Sequence, residues 1–238
     1  MRRRAQLKRA IREPILLMAN TPHARNFPAN HLPFRQDSTF WYFSNCTIPS
    51  AAMLLVDGED VLFLPPQDPS DDLWHGPQES NADIARGLGF HRCESMDKLE
   101  DVLKTLLPGP LHSIAIASHS VNQWLTNTLH TPFVFGKQNG STKLIEQIVK
   151  MRRIMDEWEM DQFRWTSKIT KRAHEFTIRF SNISSSEHNV RSRFVSYLHK
   201  YGTEEAYNTI CTTKGEVLHN HHYNNHLDAG KQSLNSCT

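Results

Sequence analysis

Four histidines, His219, His221, His222 and His226, fall within eight residues and form the densest group of side chains in the sequence that could do chemistry. Neutral imidazoles coordinate zinc, nickel or copper, so one reading is an adventitious metal site; a polar turn and strand edge is the other. A second concentration is Phe34-Arg35-Gln36-Asp37-Ser38-Thr39-Phe40-Trp41-Tyr42-Phe43, where charged and polar groups adjoin an aromatic run. On composition alone it reads as a loop leading into a buried strand, with Arg35 and Asp37 as an internal ion pair rather than catalytic groups. Trp74, between Leu73 and His75, reads as an ordinary core or interface aromatic. Cys46, Cys93, Cys211 and Cys237 are dispersed and form no CxxC pair, which points to reduced thiols and to neither a disulfide framework nor a structural zinc site. The sequence holds no Gly-rich phosphate loop, Gly-x-Ser-x-Gly elbow or HExxH.

These residues need elements to place them. Ile15 to Ala19 has a strand's length, and Ala52 to Val56, Asp57-Gly58-Glu59-Asp60 and Val61 to Leu64 read as a hairpin. Its strands are apolar on both faces, so they belong inside a sheet covered by helices. Helices are predicted at about 82–88, 96–107 and 120–129, with a buried strand at Ile114-Ala115-Ile116-Ala117, an α/β alternation. After Gly136-Lys137-Gln138-Asn139-Gly140 the pattern changes. Leu144, Ile148, Met151, Met155 and Trp158 recur at helical spacing, and the series continues through Trp165, Ile169, Ala173 and Phe176. Asp156 and Glu159 are placed to cap a second helix. Ser184 and Glu187 form a similar pair for a third helix, which buries Val190, Phe194 and Leu198 and stops at Gly202. The compositional shift sets the domain boundary, with a mixed α/β domain at 1–140 and a second, unfinished domain at 141–238.

Six of the 27 basic residues lie in the first twelve positions, which contain no acid, so the other 21 face 25 acidic groups. A basic head on a mildly acidic body argues against a nucleic-acid partner, which needs Lys and Arg spread along a face; a solvated first helix turn or two is the plainer reading. The head lacks the Ser content of a mitochondrial presequence, and Pro14 to Ala19 is too short for a signal core or a membrane span. A soluble cytoplasmic protein is expected.

The segment Phe34-Arg35-Gln36-Asp37-Ser38-Thr39-Phe40 closely resembles the Phe-Arg-Gln-Asp-Ser-x-Phe stretch in the N-terminal domain of aminopeptidase P, the Xaa-Pro aminopeptidase of the creatinase and prolidase group. Pro49-Ser50-Ala51, the hairpin to Leu64, Pro65-Pro66-Gln67-Asp68 and Asp72-Leu73-Trp74-His75-Gly76 follow in the family's order. So do Met151-Arg152, Glu157, Ala173-His174, Glu187, Tyr207-Asn208-Thr209-Ile210 and Leu218-His219. The resemblance implies a creatinase-like mixed α/β N-terminal domain followed by a pita-bread catalytic domain. There two Asp, one His and two Glu hold two divalent metals, commonly manganese, and a metal-bridging water attacks proline-containing peptides. It also implies that His219 contacts substrate or the transition state, and that Trp74 resembles the family Trp that reaches into a neighbouring subunit's active site.

The sequence departs from the family after Leu227-Asp228-Ala229-Gly230. It continues Lys231-Gln232-Ser233-Leu234-Asn235-Ser236-Cys237-Thr238, which puts Ser236 where the first metal-binding Asp is expected. A neutral hydroxyl is a poor replacement for a carboxylate ligand. The expectation is therefore a catalytically incomplete Xaa-Pro metalloaminopeptidase relative, its pita-bread domain incomplete, with no metal cofactor held by this chain. The alternative is a non-catalytic assembly protein that forms homo-oligomers, or mixed oligomers with a full-length relative, through its N-terminal domain. A third expectation is a gene remnant whose amphipathic helices leave apolar faces exposed.

Overall fold

In a computed structural model, residues 2–181, 183–217, 219–227 and, in backbone only, 236–237 are described. They form two compact units, Met1–Ile154 and Met155–Thr238.

The first unit is built around a four-stranded sheet. After the helix α1 (Arg2–Ala10) come β1 (Ile15–Met18), α2 (Ser38–Ser44) and the hairpin β2 (Ala52–Val56) and β3 (Glu59–Leu64). Its turn uses Gly58 at φ 76, a conformation that costs a residue without a Cβ little. The one-turn α3 (Asp72–His75) and α4 (Asn81–Gly87) then carry the chain to β4 (Arg92–Ser95). The strand order is β1-β2-β3-β4, antiparallel except for the β3–β4 pair, whose parallel pairing requires this crossover.

Both faces of the sheet are covered, as the apolar strands predict. Leu17, Met53, Leu55, Leu62 and Leu64 pack on one face with Leu7, Ile11, Phe40 and Phe43. Leu16, Met18, Leu54, Val61 and Phe63 pack on the other, against residues of α5 (Leu99–Leu106) and α6 (His119–Leu129). Successive side chains along a strand alternate in direction, so each strand feeds both layers. Burying each such side chain stabilises by about 1.5–3 kcal/mol.

The basic head is more than a solvated helix. Arg4 is only 1% exposed. Its Nε lies 2.8 Å from Asp60 Oδ2, its Nη1 donates to the Phe43 carbonyl at 3.0 Å, its Nη2 donates to the Gly89 carbonyl, and its guanidinium lies over the Phe90 ring. Lys8 Nζ reaches the other Asp60 oxygen at 3.2 Å. Arg2, Arg9 and Arg12 remain exposed.

Two predicted strands take other forms. The aromatic run is the helix α2, because Asp37 accepts from the N–H groups of Thr39 and Phe40 at 2.9 and 2.8 Å and caps it. Burial pushes the Asp37 carboxyl up, although those two bonds and the Arg152 charge pull it down. The segment at 114–117 buries Ile114, Ala115 and Ile116 but joins neither sheet, making only an isolated bridge from Ile114 to Gly140. Asn122 bonds the Ile116 N–H at 2.9 Å and its C=O at 2.7 Å, while the Ala115 N–H donates to the Asn139 carbonyl at 3.0 Å. With those groups satisfied, no neighbouring strand is needed.

The packing boundary falls after Ile154, whereas the composition changes at 136–142. Between them α7 (Thr142–Arg152) buries Leu144, Ile148 and Met151 in the first unit's core. Met155 and Trp158 do not extend that face; they are 50% and 61% exposed, because the helix ends at Arg152 and a new one begins.

In the second unit, α8 (Glu157–Ser181) is capped as predicted. Asp156 Oδ1 accepts from the Glu159 N–H at 2.9 Å, and Glu159 Oε2 accepts from the Asp156 N–H at 3.0 Å. The helix packs on α9 (Glu187–Lys200) through Ile169, Ala173, Phe194 and Leu198. The N-cap of α9 is Ser186, not Ser184, whose hydroxyl bonds back to the Phe180 carbonyl at 2.8 Å. Val190 is buried and Gly202 follows the helix at φ 65, both as expected. The strands β5 (Cys211–Thr212) and β6 (Ser236–Cys237) pair antiparallel. Leu218, Asp228, Ala229, Gly230 and the tail from Lys231 to Asn235 lie outside the described residues, and of Ser236 only the backbone is described. No helix among the described residues is long and apolar enough to cross a membrane.

Candidate functional site

The histidine segment is held by a buried carboxylate. Glu187, the first residue of α9, is 0% exposed. Its Oε1 accepts from the Thr213 N–H at 2.7 Å, the Thr213 hydroxyl at 3.1 Å and the Asn225 side-chain amide at 2.8 Å. Its Oε2 accepts from the Asn225 N–H at 3.3 Å. Burial alone would raise the Glu187 carboxyl, but these bonds outweigh it and hold the group below its ordinary value. The first turn of a helix also favours negative charge. In the main chain, the Glu187 N–H donates to the Asn225 carbonyl, the Leu227 N–H donates to the Ser185 carbonyl, and Ser186 bridges His226.

Above this clasp, Tyr223 is buried and its hydroxyl donates to the Thr209 carbonyl. His221 Nδ1 lies 3.1 Å from the same carbonyl. A carbonyl only accepts, so Nδ1 is the donor in this contact. His219 and His221 are exposed, with ring centroids 6.3 Å apart; His222 is exposed as well. The structure thus brings His219 beside His221, on a segment whose course is set from below by Glu187 and Thr209.

Among the described residues, no group of three or more His, Cys, Asp or Glu could hold a metal ion. The carboxylate that anchors the segment already accepts from four donors, three at Oε1 and one at Oε2. A pair of divalent metals needs several such ligands together, and the described residues do not supply them.

Trp74 belongs to the first unit. It is 77% exposed on α3, beside Leu73 at 83%, so it is not a core residue. A 3₁₀ turn capped by Asp68, whose Oδ1 accepts from the Ser70 N–H at 2.8 Å, leads into α3. A cavity of about 430 Å³ next to it is lined by Pro65, Asp68, Asp72, His75, Gln78 and Asn81 among others.

The clasp was not visible in the sequence. Glu187 reads there as a capping partner of Ser184, and its actual partners Thr213 and Asn225 stand 26 and 38 positions away. A carboxylate at a helix start, with Thr and Asn further on, gives no spacing signal.

The profile of the aminopeptidase P N-terminal domain matches residues 1–114. The chain's N-terminal region belongs to the aminopeptidase P family. Among curated relatives, a probable Xaa-Pro aminopeptidase of Aspergillus clavatus is 27% identical over 193 residues, covering 79% of this chain and 41% of the relative. One of Fusarium vanettenii is 24% identical over 212 residues, covering 85% and 42%. The fold is similar to that of Escherichia coli aminopeptidase P in its low-pH form, with a TM-score of 0.76 and 22% identity over 92% of this chain and 53% of that one. Against the same enzyme with the inhibitor Pro-Leu the TM-score is 0.77. The chain spans about two-fifths of the length of the curated relatives it matches.

Proposed function

We propose that these 238 residues are the N-terminal domain and helical scaffold of an Xaa-Pro aminopeptidase-type protein, and that by themselves they do not cleave Xaa-Pro peptides. The observation that carries this reading is the pairing of a family-type first unit with a second unit whose described residues offer no metal-binding group. In a protein with the complete catalytic domain, two divalent metals, commonly manganese, would supply the nucleophilic water, and the exposed His219 would contact the substrate. The test is hydrolysis of an Xaa-Pro peptide by the purified chain with added manganese. No turnover is expected; turnover that a chelator abolishes would overturn the proposal.

A second reading is assembly. Leu73 and Trp74 place two large apolar side chains in solvent on one helical turn, a feature that suits contact with a second copy or a full-length relative. Sedimentation of the chain, alone and with the full-length enzyme, tests it. A concentration-dependent dimer or a mixed species that Trp74→Ala weakens supports it, and a strict monomer in both cases contradicts it.

A further inference from the structure

We propose that Glu187 is a charge-dependent latch: as a carboxylate it pins residues 211–213 and 225–227 to the start of α9, and on losing its charge it releases the histidine segment while α8 and α9 stay paired. This does not depend on the peptidase reading.

Every group that faces the Glu187 carboxylate is a donor or can act as one: the Thr213 N–H and hydroxyl, and the Asn225 N–H and side-chain amide. An ionised carboxylate is acceptor-only and satisfies all of them. A protonated acid or a glutamine would turn a donor toward donors, and at 0% exposure water cannot relieve the mismatch.

Charges nearby do not replace it. The titratable side chains on the surrounding elements include His188 and Arg191 of α9, Cys211, Lys214 and Glu216 on the β5 side, and His219, His221, His222, Tyr223 and His226 on the returning segment. Arg191 pairs with Glu205 at 3.2 Å, the Tyr223 hydroxyl bonds Thr209, the His188 ring rests on the Tyr223 ring, and the Cys211 thiol bonds the Glu187 carbonyl oxygen. Among the described residues, no cation lies within ion-pairing distance of Glu187.

Packing makes the release local. Apart from the carboxylate, the segment is held by the main-chain bonds of Glu187 to Asn225 and of Leu227 to Ser185, by Tyr223 on the Thr209 carbonyl, and by a small cluster of Val190, Cys211 and Tyr223, separate from the Ile169, Ala173, Phe194 and Leu198 cluster that joins α8 to α9. Loss of the clasp removes the four carboxylate bonds from the first hold and nothing from the second, the condition for sub-global opening. Because the Glu187 carboxyl lies below its ordinary value in the folded chain, its contribution is complete above the usual carboxylate range and is lost as pH falls through the folded value.

Hydrogen exchange of the full 238-residue chain, read by mass spectrometry at neutral pH, tests the latch. In Glu187→Gln, peptides spanning 209–217 and 219–227 should exchange about tenfold faster or more, with α8, α9 and the sheet strands 52–64 unchanged. Unchanged exchange at 209–227 would overturn the proposal, and so would equal loss of protection through α8 and α9, since Glu187 would then be a general core residue. A second measurement needs no variant. In the natural chain brought from neutral to acid pH, with intrinsic rates corrected, 209–227 should open before α8, α9 and strands 52–64. Simultaneous opening would contradict it.

Discussion

An arginine buried to 1% exposure is tolerable only with partners, and Arg4 has a carboxylate, carbonyls and an aromatic face around it. Removing one member leaves the other charge buried and unpaired. Asp60→Ala should therefore destabilise the first unit by about 3–5 kcal/mol in urea unfolding, whereas Arg4→Met combined with Asp60→Leu should lose far less. Burial raises the Asp60 carboxyl, but the hydrogen bonds and charges of Arg4 and Lys8 outweigh it and leave it lowered. The stability it contributes is thus full above the carboxylate range and lost as pH falls through its folded value. A urea midpoint that stays flat from neutral pH into acid would contradict this. The sequence carried a signal for this role: Arg4, Leu7 and Ile11 share one helical face by spacing, and all three are buried. Their company among six bases concealed it. At Asp37 the clue was equally local, an Asp followed by Ser-Thr-Phe, which is a helix start rather than a loop before a strand. Asp37→Ala should lower stability by about 1 kcal/mol, measured by thermal unfolding.

At the scale of elements, the legible features were those with strong periodicity. The hairpin, the two-sided strands and the helices at 81–87 and 119–129 lie where alternation and spacing put them. The capping pair at Asp156 and Glu159 was also readable, since its two residues sit within one turn. The segment at 114–117 was not, because a side chain six positions along supplies its hydrogen bonds. Asn122→Ala should leave the buried Ile116 N–H and C=O without partners and cost about 1–3 kcal/mol for each, detected as a lower urea midpoint and faster exchange of the Ile116 amide. Gly140 is a second hidden constraint. It sits at φ 91, and a Cβ there would come within 2.5 Å of the Ser113 carbonyl oxygen and 2.6 Å of the Phe133 ring. Gly140→Ala should cost more than about 1 kcal/mol, again in urea unfolding.

For the molecule as a whole, each unit has a core of its own, and the two differ in kind. The first closes a sheet between two apolar layers. The second pairs two helices through a smaller cluster, and Trp158, Phe163, Trp165 and Ile178 of α8 remain exposed. The family resemblance was readable because its motifs are short, ordered and mostly in the first unit, where the profile matches. The clasp under the histidine segment was not, because it joins residues that only the fold brings together. We propose that these residues carry the family's scaffold without its metal chemistry. Equilibrium dialysis of the purified chain against micromolar manganese tests that most directly. No stoichiometric manganese is expected in the protein compartment; two manganese ions per chain, removed by chelator, would contradict the proposal.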